Sequence, residues 1–160
     1  MAIDRHRGRA EVAAVYGYLL LALVAGLVLP FQAGVNSQLR ASLGNPVLAA
    51  TVSFLVGSLA LGALAVATRL GIPSGPAARA IPWWHWVGGL LGAFYVYSVI
   101  IVTPRLGAAT MIATIVAGQM IASLVTDHYG AIGYPQHAIN LWRIAGAGLV
   151  IAGVVLIQRH

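Results

Sequence analysis

The sequence contains no cysteine and no lysine, and its only acidic residues are Asp4, Glu11 and Asp127. The absence of cysteine excludes disulfide bonds, thiolate metal sites and cysteine nucleophiles. Charged residues make up 8% of the 160 residues, whereas 60% are hydrophobic, and the mean hydropathy is +0.90. Soluble globular domains do not have this composition, so the chain is predicted to be an all-α integral membrane protein.

The basic residues are nine arginines, which give the chain a net charge of +6. They are scattered singly at the ends of apolar runs and do not form the clustered basic face of a nucleic-acid-binding protein. No serine, histidine and acid are placed for nucleophilic catalysis, and no glycine-rich phosphate loop occurs. The spacing of Asp127, His128 and His137 matches no metal-ligand motif. We therefore predict a protein that is not an enzyme and has no cofactor, metal ion or nucleic-acid partner.

Five apolar runs, each long enough to cross a bilayer, follow one another along the chain. Turn signals separate them, for example Gly44-Asn45-Pro46 after the first run and Pro104-Arg105-Leu106-Gly107 after the third. The first run contains Pro30, where we expect a bend. We predict a single transmembrane domain over residues 1–160, with spans at about residues 13–39, 47–68, 86–103, 106–126 and 141–157.

Polar side chains recur at four-residue intervals in the first span. Gln32, Asn36 and Arg40 therefore share one helix face. Amides that face lipid are costly, so we expect this face to turn toward a partner helix or a water-filled cavity. Two interpretations remain open for the amides: hydrogen bonding between helices, or lining of a substrate cavity.

The fourth span carries a second polar stripe of the same spacing, formed by Gln119, Ser123 and Asp127. Gln119 is the deepest polar group of this span and is a second candidate for lining a cavity. Asp127 is either a proton or cation site or a carboxylate at a helix end that is solvated or paired with an arginine. Arg143 is the nearest candidate for such a pair in sequence. In the third span, Tyr95 and Tyr97 face different sides, so one can reach a cavity while the other packs.

The arginines also predict topology. With the N-terminus inside, six arginines lie on the cytoplasmic side and three lie outside, a modest bias that leaves dual insertion open. An odd number of spans places the two termini on opposite faces, and two copies in opposite orientation form a ten-helix inverted repeat. We predict a homodimer, more readily antiparallel than parallel, or a heterodimer with a paralogue. The six arginines on the cytoplasmic side are Arg5, Arg7, Arg9, Arg69, Arg79 and Arg143, and the three outside are Arg40, Arg105 and Arg159.

Short motifs distributed over nearly all of the chain beyond residue 20 carry a family resemblance. They are PFQAGVNSQL at 30–39, SFLVGS at 53–58, WVGG at 86–89, GAFY at 92–95, PRLGAA at 104–109, AGQ at 117–119, DHYG at 127–130 and RIAG at 143–146. In order and spacing they resemble the YdcZ-like branch of the drug/metabolite transporter superfamily. The resemblance implies a bacterial inner-membrane protein of about five helices per chain, related to halves of ten-helix transporters and to the four-helix small multidrug exporters.

The small multidrug exporters couple protons through a carboxylate within their first helix, and this chain has no carboxylate at the matching depth. Glu11 lies about 30 Å of helix rise before Gln32. The resemblance therefore does not extend to proton-coupled export of cations by that mechanism.

These observations predict a secondary transporter of a small metabolite or drug-like molecule, with a substrate cavity at the protomer interface and alternating access. Neutral amides favour polar neutral or zwitterionic solutes. The alternative is a non-transporting membrane scaffold or assembly subunit. The predicted cavity residues are Gln32, Asn36, Tyr95 and Gln119, and the predicted gate or coupling pair is Arg40 of one protomer with Asp127 of the other.

Overall fold

The computed structural model describes residues 2–71 and 75–159, the side chains of residues 2–11 and 13 excepted. This part of the chain is helical and contains no strand, which confirms the predicted all-α class. Short 3₁₀ turns precede α4 and follow it. The helices are α1 (Ala2–Leu43), α2 (Pro46–Ala67), α3 (Gly75–Arg79), α4 (Val87–Tyr129) and α5 (Leu141–Arg159), and the 3₁₀ turns are Trp83–Trp86 and Ala131–Gly133.

Helix α4 is too long for a single span. Its 43 residues would extend about 64 Å as a straight helix, roughly twice the hydrocarbon thickness of a bilayer. The helix breaks at Gly107, whose φ of 75° and ψ of 166° lie in a region that is essentially restricted to glycine. It therefore consists of two arms, residues 87–106 and 108–129. With α1, α2 and α5 these arms give five membrane-spanning segments, as predicted.

The two arms of α4 fold back on each other. Val99 of the first arm and Met111 of the second share one buried cluster, and Tyr95 and Ile115 pack against it. Tyr95 and Ile115 are separated by 20 residues, which would be about 30 Å along a straight helix. Their common cluster therefore requires a helical hairpin. Ala33 of α1 completes the cluster, so α1 packs across the hairpin.

Two glycines with positive φ end the helices beyond their predicted limits. α1 continues through Pro30 and past the predicted residue 39 to Leu43, where Gly44 has a φ of 69° and its N–H donates to the Arg40 carbonyl over 2.8 Å. The second arm of α4 continues past the predicted residue 126 to Tyr129, and Gly130 has a φ of 58°. Glycine adopts this left-handed conformation without the steric cost that other residues meet, so both glycines act as C-terminal helix stops.

The α1–α2 turn shows how closely the sequence specifies the start of a helix. Asn45 has extended backbone angles, and its Oδ1 accepts hydrogen bonds from the N–H groups of Val47 at 2.8 Å and Leu48 at 3.3 Å. Pro46 occupies the first helical position, where its missing N–H costs nothing. A tight turn of two residues therefore makes α1 and α2 antiparallel neighbours.

The chain reverses direction at both ends of the helix bundle, which are called the hairpin end and the loop end. The hairpin end contains the α1–α2 turn and the Pro104–Gly107 break, which meet where the Arg40 Nη1 donates to the Ile100 carbonyl over 3.3 Å. The loop end contains residues 68–86 and 130–140, and Trp84 and Ile132 line one groove there. Because α1 begins at the loop end and α5 ends at the hairpin end, the described chain starts and finishes on opposite sides of the bundle.

The core of a single chain is small. Among the residues whose side chains are described, one buried cluster is formed by Ala33, Val99 and Met111, and another by Ala49, Ala50 and Ile100. The accessible surface is 12500 Å², whereas a compact soluble protein of this mass exposes about 7,600 Å². Large apolar side chains dominate the exposed surface of the long helices. This excess is available to lipid and to other protein surfaces.

Candidate functional site

The amide stripe of α1 is divided by the packing of the hairpin. Asn36 is buried, with 5% of its surface exposed, and is the one buried polar residue among those described. Gln32, one turn earlier, is exposed. Ser37 follows Asn36, and its hydroxyl group is buried without a hydrogen-bond partner among the described residues. A single chain thus covers the middle of the stripe and leaves one of its predicted cavity residues outside.

Arg40 supplies a hydrogen-bond donor to a carbonyl that a proline leaves without one. Pro104 has no N–H, so the carbonyl of Ile100, four residues earlier, loses its intrahelical donor. Ile100 is fully buried, and the guanidinium of Arg40 reaches this carbonyl from α1. Sequence reasoning missed this contact, although the four-residue offset from Pro104 identifies Ile100 as an acceptor in need of a donor.

An open groove of mixed polar and apolar lining adjoins Arg40 at the hairpin end. Its volume is about 570 Å³. The guanidinium of Arg40 is only half-buried and therefore still borders this space. The lining residues are Ser37, Gln38, Arg40, Ala41, Gly44 and Pro104.

Tyr95 lies in a cleft between the two arms of α4. The cleft has a volume of about 410 Å³ and is mainly apolar. Tyr97 lines a different groove, between the first arm and α2, together with Phe54. Ser98 and Thr114 supply the other hydroxyl groups of the Tyr95 cleft. The cleft therefore has room for an apolar or aromatic group.

Gln119 is exposed on the second arm of α4, as is Ser123. Neither Gln119 nor Gln32 lines the cleft that contains Tyr95. The predicted cavity residues therefore do not form one enclosed site within a single chain: Asn36 is buried, Tyr95 is half-buried, and the two glutamines lie on the outer surface.

Asp127 and Arg143 form an ion pair at the loop end. Both side chains are partly exposed, at 22% and 29%. Arg143 is the arginine that the sequence singled out as the nearest partner. Its Nη1 also donates to the His137 carbonyl over 2.8 Å, and the His137 N–H donates to the Asp127 carbonyl over 2.8 Å. The pair thus fixes the loop after α4 to the first turn of α5.

Further hydrogen bonds secure the same loop. The Nδ1 atom of His128 accepts from the N–H of Ile139 over 3.2 Å, and the Gln136 side chain donates to the His128 carbonyl over 3.0 Å. Asn140 caps α5, since its Oδ1 accepts from the Arg143 N–H over 2.9 Å. Sequence reasoning assigned no role to His128, Gln136 or Asn140, although an asparagine directly before an apolar run is a helix-start signal. Together these hydrogen bonds connect the end of α4, the following loop and the first turn of α5.

Comparison with known proteins identifies relatives of the chain. A family model described as "Putative inner membrane exporter, YdcZ" matches residues 17–156. The inner membrane protein YdcZ of Escherichia coli (strain K12) is 37% identical over 86 residues, which are 54% of this chain and 57% of that protein. The aligned region thus spans little more than half the length of this relative. No solved structure matches the chain.

The family model covers all five membrane-spanning segments and each of the motifs that carry the resemblance. Its description and the name of the relative agree with the apolar helices in placing the protein in a membrane. The chain is therefore a multi-pass protein of the bacterial inner membrane that belongs to the YdcZ family, within the drug/metabolite transporter superfamily.

Proposed function

We propose that the protein is a subunit of a secondary transporter that moves a small metabolite or drug-like molecule by alternating access. Two subunits enclose the substrate cavity at their interface, and the amides of Gln32, Asn36 and Gln119 bind the solute together with Tyr95. The description of the family as inner membrane exporters supports transport as the general activity. The arrangement of the amides supports the location of the cavity.

The exposed glutamines carry this proposal. Gln32 and Gln119 each lie eight residues, or about 12 Å of helix rise, from the charged residue that ends their stripe. Gln119 is also about 18 Å from the break at Gly107, so it lies well inside a hydrocarbon layer of about 30 Å. An amide facing lipid at this depth leaves its donors and acceptors without partners, which is costly. Both residues are exposed in the single chain, so a partner subunit or a water-filled cavity must cover them.

An antiparallel dimer satisfies this requirement. A homodimer, or a heterodimer with a paralogue, would contain ten spans, and inversion of one subunit would relate them by an axis in the membrane plane. The large exposed surface of the single chain supports association of this kind. Neutral amides bind by directional hydrogen bonds, so the cavity suits solutes with polar neutral groups or with balanced charges.

Arg40 and Asp127 remain the proposed gate. They lie at opposite ends of one chain, so inversion of the partner would place Arg40 and Asp127 of the partner subunit at the same membrane face. Within one chain Arg40 contacts the Ile100 carbonyl and Asp127 pairs with Arg143. Gating would exchange these intrachain contacts for the pair between subunits. If charge reversal at both positions restores none of the transport that either single reversal removes, the pairing is wrong.

Orientation is tested by labelling from each side of the membrane. The chain has no cysteine, so Ala80→Cys at the loop end and Ala108→Cys at the hairpin end each introduce a unique thiol. Both positions are exposed. An antiparallel homodimer requires that each thiol react from both sides, in different molecules. Labelling of each thiol from one side only contradicts it.

Transport is tested in proteoliposomes with a panel of labelled neutral, zwitterionic and anionic metabolites. The Gln32 side chain is exposed in the single chain, so we expect Gln32→Ala to leave the unfolding temperature unchanged. We expect flux to fall by about tenfold, because the loss of one hydrogen bond to the solute costs about 1.4 kcal/mol. Gln158→Ala is the matched control, because Gln158 is an exposed glutamine near the end of α5. If Gln32→Ala and Asn36→Ala lower the unfolding temperature but leave flux intact, the amides pack between helices and do not line the cavity. That result would favour the alternative of a non-transporting membrane scaffold.

A further inference from the structure

Among the described residues, the hairpin end of the bundle contains positive charge without a neighbouring acidic side chain. Arg40, Arg105 and Arg159 lie there by sequence and topology. Of the three acids in the sequence, Asp127 is at the loop end and is paired with Arg143. Glu11, the nearest acid on α1, precedes Arg40 by about 44 Å of helix rise. No acidic side chain among residues 14–71 and 75–159 therefore neutralises the charge on Arg40.

Arg40 also retains hydrogen-bonding capacity. Its guanidinium has five N–H donors in a planar fork, and one contact of 3.3 Å to the Ile100 carbonyl involves only Nη1. The side chain is half-buried, which weakens the screening of its charge by water. A planar, partly desolvated guanidinium is suited to bidentate binding of a carboxylate or phosphate group.

A second group in the same groove lacks a partner. The hydroxyl oxygen of Ser37 is buried and makes no hydrogen bond to any described residue. Ser37 lines the groove with Arg40. Its hydroxyl oxygen is buried in the observed rotamer, and rotation about χ1 offers the hydroxyl three staggered positions. Buried polar groups in native proteins are nearly always paired. A groove lined by one residue with an unpaired hydroxyl and another with an uncompensated guanidinium therefore indicates a ligand with acceptor oxygens.

We infer that the groove formed by Ser37, Gln38, Arg40 and Pro104 at the hairpin end binds an oxyanion, with the guanidinium of Arg40 and the hydroxyl of Ser37 as donors. This inference deepens the proposed transport function, because it assigns the anionic group of a zwitterionic or acidic solute to this groove. The inference rests on the proposed transport function only in claiming that the bound molecule is transported. Oxyanion binding itself is a property of the groove.

Two sources can supply the oxyanion. A solute can bring a carboxylate or phosphate, and the headgroup of an anionic lipid can bring a phosphate, since the groove lies at the end of the membrane spans. The chemistry is the same, so the experiment has one arm for each source. The solute arm uses the protein in phosphatidylcholine nanodiscs, titrated with phenylacetate and with phenylacetamide at constant chloride. The lipid arm measures retention of phosphatidylglycerol on purified protein by native mass spectrometry.

Ser37→Ala separates binding from folding. Loss of a buried hydroxyl that has no partner leaves the unfolding temperature unchanged or raises it. The same change removes a donor to the anion, so we expect affinity for the oxyanion to fall by about threefold to tenfold. A purely structural role for Ser37 would not produce a loss of binding without a loss of stability.

Arg40→Lys keeps the charge and removes the planar fork, and we expect it to weaken phenylacetate binding by about tenfold. Arg159→Gln is the matched control, since it removes an exposed positive charge at the same end of the bundle and should change affinity by less than about twofold. Phenylacetamide should bind at least about tenfold more weakly than phenylacetate to the unmodified protein.

Binding in either arm that depends on Arg40 and Ser37 supports the site, and the arm that responds identifies the source. The inference is overturned if neither phenylacetate nor phosphatidylglycerol binds, if the amide binds as well as the acid, or if Arg159→Gln weakens binding as much as Arg40→Lys. These binding measurements do not require that the protein transport the molecule. Binding that depends on Arg40 in a protein that moves no solute would overturn the transport proposal and leave the oxyanion site standing.

Discussion

The two ends of the bundle use arginine in different ways. At the loop end, Arg143 contacts a carboxylate and a carbonyl, and neighbouring hydrogen bonds close the network. At the hairpin end, Arg40 contacts one backbone carbonyl and faces an open groove, and no carboxylate side chain lies beside it in the described part of the chain. Arg143 is therefore paired within one chain, whereas the charge of Arg40 is not. Incomplete pairing identifies Arg40 as an arginine at which a ligand or a partner is expected.

The glycines that reverse the chain differ between the ends as well. Gly130 at the loop end has a φ of 58° and a ψ of 32°, a left-handed conformation that asparagine also adopts. Gly107 at the hairpin end has a φ of 75° and a ψ of 166°, which only glycine adopts readily. The hairpin end thus depends on a single residue type for its backbone geometry, and substitutions can measure this dependence.

The largest effect is expected for Gly107→Ala. A Cβ at this position meets no atom within 4 Å, so the cost is the backbone conformation alone, about 3 kcal/mol of unfolding free energy. Gly118→Ala on the same helix is the matched control: its Cβ also meets nothing, and alanine is the better helix former, so stability should hold or rise. Thermal unfolding in detergent measures both. Equal stability of the two variants would show that Gly107 does not constrain the hairpin.

The second effect concerns the ion pair at the loop end. Asp127→Asn leaves Arg143 partly buried without its counter-charge, and we expect a loss of about 2 kcal/mol, the range of hydrogen bonds to charged groups. In the background of Arg143→Gln the same change should cost much less, because the pair is already broken. A double-mutant cycle in unfolding free energy measures this coupling. Additive costs would mean that the two side chains stabilise the loop independently.

A smaller effect tests the role of Arg40 at the hairpin end. Arg40→Gln removes the donor to the Ile100 carbonyl and should lower the unfolding free energy by about 1 kcal/mol. Pro104→Ala restores the N–H that pairs with this carbonyl within the helix, so the cost of Arg40→Gln should fall in that background. Arg143→Gln is the control, since its cost should not depend on residue 104. Without coupling between positions 40 and 104, Arg40 does not replace the missing proline donor.

The smallest effect separates the two glycines directly. Gly130→Asn should lower the unfolding free energy by only about 1 kcal/mol, because asparagine accepts the left-handed conformation. Part of this cost comes from Gln136, whose Cβ would lie 3.3 Å from the new Cβ. Gly107→Asn should be as destabilising as Gly107→Ala. If asparagine is tolerated equally at both positions, the difference in backbone geometry has no energetic consequence.

The sequence was sufficient for features that depend on local chemistry. Long apolar runs and glycine or proline signals predicted five spans and a break at Pro104-Arg105-Leu106-Gly107, because helix length and backbone freedom are local properties. The proximity of Asp127 and Arg143 followed from a short loop between two helices. The acceptor for Arg40 could not be predicted, since a backbone carbonyl on another helix becomes its partner only after the two helices dock.

The division of the amide stripe has a geometric reason that spacing alone does not reveal. Successive residues of a helix are about 100° apart, so a four-residue step shifts the side chain by about 40° around the axis. Gln32 therefore lies about 80° from Arg40 and about 100° from the buried Ala33. The hairpin covers the face around Ala33 and Asn36, and Gln32 falls at its edge. A shared stripe predicted a common direction but not which part of it a single chain would cover.

The opposite placement of the beginning of α1 and the end of α5 has a consequence for covalent architecture. If two copies are joined in tandem by a short linker, the second copy must enter the membrane from the side at which the first one leaves it. The second copy is then inverted relative to the first without any additional span. Fusion of this chain to itself therefore yields an inverted pair, whereas a parallel pair would require a linker that crosses the bilayer.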